Sequence, residues 1–241
     1  MKYLLLLTIF LASCSPVEVT SDKIVYRDEV AYLVNTQKPF TGNVVDYHDN
    51  GQLQYSFSFK DGKVDGTPKE YSKNGRLLST GAYKNGEKHG LHESYYDSGN
   101  LKTKGSYENG QAEGLHEHYH SNGRLKFRGS LVQGKPDGIH LEYFSNGTLS
   151  DKRTFKDGKK HGAVENYNDN GTLATTYSSV NGNVDGKQNL YYLNGVLNVS
   201  FMYKAGYKDG LTTWFRNGKV DSTSCYKDGY LADSSYCSKQ P

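Results

Sequence analysis

Three histidines in the stretch EGLHEHYHSNG, His116, His118 and His120, stand at every second position. On a strand, that spacing sends alternate side chains to one side, and imidazoles grouped in this way are common metal ligands. His92 and His140 lie 24 residues before and after His116. Interspersed with them are Lys102, Lys104, Arg124, Lys126, Arg128 and Lys152. The group could hold a metal or attract an anion. A structural metal site closes with four ligands, and fixed positive charges beside the imidazoles would repel a dication. Neither a metal nor any other cofactor is expected. Without His120, the ten remaining residues instead read as a candidate stripe for an anionic lipid, an anionic polymer or an acidic partner protein.

Nothing else in the chain suggests catalysis. There is no glycine-rich phosphate loop, Cys-x-x-Cys pair or nucleophile elbow. Glu93, Glu117 and Glu165 look catalytic only if the period of the chain is ignored, because they occupy one repeating column. No enzyme is expected. The 29 basic and 26 acidic side chains nearly balance, which argues against a general nucleic-acid binder.

The elements that position these residues come from an internal repeat. Glycine recurs every 24 residues at Gly42, Gly66, Gly90, Gly114, Gly138, Gly162, Gly186 and Gly210. Five residues after each stands an aromatic, from Tyr47 and Tyr71 onward to Phe215, and a leucine column runs from Leu53 to Leu197. Each unit carries two turn signals, such as Asn122-Gly123 and Asn109-Gly110, and the last unit is one residue short before Gly218. Asn-Gly and Asp-Gly between short alternating segments mark hairpins. The expected fold is all-β: a single-layer antiparallel sheet of about eight 24-residue hairpin repeats, roughly 75 Å long at ~4.8 Å per strand.

The pattern G-x-x-x-x-Y-x-x-N-G-x-L followed by Y-K-x-G-K resembles the bacterial variant of MORN (membrane occupation and recognition nexus) repeats, with Lys38–Gly42 leading into the first unit. The resemblance covers about residues 24–230. It implies a binding or scaffolding role, and for some members, the YwqK-type antitoxins, neutralisation of a toxin by direct protein contact.

Side-chain direction depends on the turn. A three-residue loop around Asn122-Gly123 would pair Tyr119 with Leu125. It would gather Leu115, Tyr119, Leu125, Phe127 and Leu131 on one apolar face, the arrangement that burial should select. The histidines would then share the opposite face with the basic residues. His116 would oppose Arg128, His118 would oppose Lys126, His92 would oppose Lys104, and His140 would lie between Lys126 and Lys152. Such a stripe would strengthen below pH ~6.5 as its imidazoles charge.

The ends carry their own signals. Lys2 and the apolar run YLLLLTIFLA read as a targeting segment, too short to remain as a spanning helix. Leu11-Ala12-Ser13-Cys14 resembles the lipobox of bacterial lipoproteins, which implies cleavage after residue 13 and acylation of Cys14. Ser15 in place of aspartate favours the outer membrane. Residues 14–23 would be the lipidated tether, 24–41 a capping hairpin, 42–229 the repeats and 230–241 a closing tail. Cys225 and Cys237 are candidates for a disulfide in an oxidising compartment. The expected protein is a membrane-anchored, non-enzymatic repeat scaffold in the bacterial envelope, its partner an envelope protein or an anionic lipid or polymer. An immunity protein directed at a toxin is the alternative.

Overall fold

The computed structural model describes residues 16–238. The leader and Cys14 lie outside the described residues. Within them, the chain forms one long sheet of mostly antiparallel strands in hairpin repeats, not closed into a barrel. No described helix is long and apolar enough to cross a membrane.

Two kinds of turn alternate. At Asn109-Gly110 both residues have positive φ, 48° and 79°, and Glu108 pairs with Gln111 across them. This is the mirror-image two-residue turn whose twist suits a hairpin. At the other end of each hairpin the loop is longer. The Gly123 N–H donates to the His120 carbonyl and the His120 N–H to the Arg124 carbonyl, with Gly123 at φ 83°. The shortened final unit has no room for that loop. Asn217 and Gly218, at φ 52° and 74°, make a two-residue turn between Arg216 and Lys219 instead.

Tyr119 pairs with Leu125, the register expected of the longer loop. One step further in, the pairing shifts. His118 faces Phe127, Glu117 faces Arg128 and His116 faces Gly129. Lys126 is the extra residue of a bulge, and a one-residue insertion exchanges the faces of everything beyond it. The expected opposition of His116 to Arg128 and of His118 to Lys126 is therefore overturned. So are the places assigned to His92, which faces Gly105, and His140, which faces Arg153. The gathering of Tyr119 with Phe127 on one apolar face fails for the same reason. Tyr119 lies with Glu117, and Phe127 lies with the histidines.

Both ends of the sheet are covered. Ile24–Arg27 and Val30–Leu33 form a separate two-stranded hairpin. Around it Ala31, Phe40, Val44 and Phe59 make a buried cluster, with Ile24, Leu33 and Tyr55 packed against it. Glu18–Val19 adds a short parallel edge to the strand Gly42–Tyr47. At the far end Tyr230–Ala232 pairs with Cys225–Lys227, and the short helix Ser234–Cys237 follows. Cys225 and Cys237 are disulfide-bonded.

Candidate functional site: a ring-walled groove along the sheet

The two faces differ in chemistry. One is held by ion pairs. Glu117 lies 3.6 Å from Arg128, Glu93 lies 3.6 Å from Lys104 and Glu165 lies 3.2 Å from Lys152. The hydroxyls of Tyr95, Tyr119 and Tyr167 donate to the glutamates two residues before them. The Glu165 carboxylate so near its hydroxyl pushes the Tyr167 pKa up to about 12. This is a repeating surface motif built from a tyrosine, a glutamate and a cation of the adjoining strand.

The other face carries a ladder of rings. His92 sits between Tyr83 and Tyr107, at centroid distances of 5.2 and 4.9 Å, and Tyr107 reaches His116 at 5.4 Å. His140 continues the row between Phe127 and Phe155, at 5.4 and 4.7 Å. All but the tilted His140–Phe155 pair are edge-to-face, a favoured aromatic geometry at these distances. Each imidazole also reaches a main-chain carbonyl through Nε2: His92 to Ala82 at 2.7 Å, His116 to Ser106 at 2.9 Å and His140 to Ser130 at 2.8 Å. A carbonyl can only accept, so Nε2 carries the proton and donates.

Glycine makes room for these rings. A Cβ built on Gly81, Gly105 or Gly129 would meet the ring of His92, His116 or His140 at 2.1, 2.1 and 2.6 Å. Each glycine precedes its histidine by 11 residues. At the same offset in four other units stand bulky and smaller residues: Phe57 with Pro68, Arg153 with Val164, Tyr177 with Gln188, and Phe201 with Thr212. The column is packed by complementary size, which close packing requires. Among the functional residues that sequence reasoning missed, these glycines left a signal in the offset of 11.

The opening histidines thus have three different addresses. His116 is buried over Gly105. His118 rests on Phe127 at 5.2 Å in the next row outward. His120 bridges units, its Nε2 2.8 Å from the Tyr143 carbonyl. Among the described residues no three metal-ligating side chains converge. The ten-residue stripe is divided. Lys104, Arg128 and Lys152 lie on the ion-pair face, Arg124 reaches the Ser145 and Asn146 carbonyls, and the Lys102 ammonium is 5.7 Å from the Tyr96 ring. Lys126 borders the ring face beside His118.

A groove runs along the ring face. Its floor crosses the strands through the paired residues Tyr55, Glu70, Ser79, Ser94, Thr103, His118, Phe127 and Glu142. Eight strands span about 34 Å at ~4.8 Å apiece. The central cavity, 420 Å³, lies beside Tyr83, His92 and Tyr107. A second of 420 Å³ under the capping hairpin shares Phe57 and Glu70 with it, and a third of 310 Å³ shares His118. On the floor Ser79 donates to Glu70 at 3.0 Å, and the Ser94 and Thr103 hydroxyls are 2.6 Å apart.

Burial pushes the His92 imidazole below its ordinary value of 6.5, more than the Ala82 bond raises it, and nearby Lys88 lowers it further. An anion stripe charging at that pH is therefore not what this ring provides. Between the lowered folded value and 6.5, the unfolded chain binds more protons than the folded one, so stability falls as pH drops through that window. The urea midpoint is expected to hold above pH 7 and to decline from pH 7 to 5.5, with a shallower decline in His92→Gln. A midpoint that rises on acidification would contradict this account.

Three segments, residues 40–61, 88–109 and 136–157, match the model of the MORN repeat variant. Their starts lie two 24-residue units apart. No curated protein matches the chain. A chain of the solved structure titled "Crystal Structure of TcdB2-TccC3-Cdc42" is similar at 13% identity, with a TM-score of 0.18 over 78% of this chain. This chain spans 14% of that one's length. Repeats of this kind point to a binding scaffold.

Proposed function

We propose that this protein is a non-enzymatic binding scaffold of a bacterial envelope, tethered through lipid on Cys14, with the outer membrane as its site. The ring-face groove is its docking track. The observation that carries this reading is the continuity of the floor. One row of side chains, contributed by successive repeats, lines three cavities that share walls. An array that adds the same unit many times suits an extended partner, since each repeat supplies one more contact. The tether rests on the Leu11–Cys14 signature.

A photo-reactive residue at Thr103 is expected to give a discrete adduct in living cells, and one at Arg128, on the ion-pair face, is not. Equal adducts from both faces, or none from Thr103, would remove the docking track. For the tether, the wild-type chain is expected to take up an alkyne fatty acid and Cys14→Ala is not. An unlabelled wild-type chain would remove it.

A further inference from the structure

We infer that the groove binds a neutral, extended oligosaccharide lying across the strands; this rests on reading the groove as the docking track. The floor offers a polar side chain at successive strand steps, with Ser79, Ser94 and Thr103 at its centre. A hydroxyl is both donor and acceptor. Ser79 spends its proton on Glu70 but still accepts, and the Ser94–Thr103 pair retains one proton and several lone pairs. The His118 ring contacts Phe127 and adds polar nitrogens to the same row. A sugar chain presents hydroxyls of the same dual character.

The wall supplies the other half of the match. Tyr83 and Tyr107 stand one repeat apart along it, about 9.6 Å for two strand spacings, close to the length of one disaccharide in an extended β-linked chain. Apolar ring surface beside a polar floor suits a sugar, whose C–H faces are apolar and whose rim is polar. Charge along the groove is mixed, with Glu70, Glu93 and Glu142 lining it among Lys69, Lys88, Lys104 and Lys126 and with Glu142 paired to Arg153 at 3.2 Å, so no uniform positive field selects a polyanion. One mode of peptide docking, addition of a strand to a sheet edge, is closed to this groove. This groove lies on a face, where the main-chain groups are already paired in the ladders.

The test uses the full-length protein in a polyoxyethylene detergent, which carries no sugar headgroup, titrated calorimetrically with chitohexaose, cellohexaose, their disaccharides and inorganic polyphosphate. Saturable binding of a hexasaccharide is expected, at least tenfold tighter than its disaccharide. Ser94→Ala/Thr103→Ala is expected to weaken it at least tenfold, and Thr103→Arg, which fills the groove, to do the same. Arg128→Ala on the opposite face should change it less than twofold. Circular dichroism establishes that each variant is folded, and Thr103→Arg stands in if the double variant is not. Absence of hexasaccharide binding, preference for polyphosphate, or affinity unchanged in both groove variants would overturn the inference. An adduct at Thr103 in cells would leave the docking track standing even then.

Discussion

Replacing Gly105 by phenylalanine is expected to destabilise the central repeats by about 3 kcal/mol, the upper end of what overpacking a well-filled interior costs. The backbone is not the reason, because Gly105 lies in the strand Leu101–Glu108 and is not among the positive-φ glycines. The space is. Even a Cβ there would lie 2.1 Å from Nδ1 of His116, which is buried, bonded to the Ser106 carbonyl and in contact with Tyr107. The ring cannot swing aside without giving up that bond, and Gly105→Ala should lose about half as much. The column itself suggests the repair. Phe201 and Thr212 occupy equivalent positions one register step beyond Ser200 and Thr213. Gly105→Phe combined with His116→Thr is expected to recover much of the loss. Urea unfolding followed by tyrosine fluorescence measures all three. A Gly105→Phe protein as stable as the wild type would refute the packing account, and so would a double variant no better than the single.

The second large effect lies at the end of the sheet. Removing the disulfide by Cys225→Ala/Cys237→Ala is expected to cost about 3 kcal/mol for a loop of this size. Cys225 and Cys237 are 12 residues apart. The loss should be local, since each repeat depends mainly on its neighbours. The bond holds the strand Tyr230–Ala232 and the helix Ser234–Cys237 over the last unit, helped by the Tyr236 hydroxyl, which donates to Asp209 at 2.9 Å. Without it, the strand Lys219–Lys227 becomes an open edge, which invites association. Hydrogen exchange should therefore rise in residues 219–232 and stay unchanged in 101–132. A reductant should reproduce this in the wild type and add nothing in the variant. Uniform change along the chain, or none, would contradict the local role.

The sequence by itself determined the repeat, its period and both kinds of turn. These are local properties. Asn109 and Gly110 can adopt positive φ at low cost, and Gly123 can close the longer loop, whatever lies across the sheet. The pairing of Tyr119 with Leu125 followed from the loop length alone. The tertiary structure decided which way the side chains point, and with it the candidate site. Lys126 bulges without any glycine or proline to mark it, and that one residue moved His116 and His118 from the expected charged face to the ring face. The ion pairs of Glu93, Glu117 and Glu165 and the polar floor at Ser79, Ser94 and Thr103 follow from the same shift. In a strand the side-chain period is two, so a single uncounted residue inverts every assignment beyond it. Local propensity cannot see such a residue, because its position is set by packing between strands: three imidazoles fit only where glycine lies opposite, and the bulges are what bring them there.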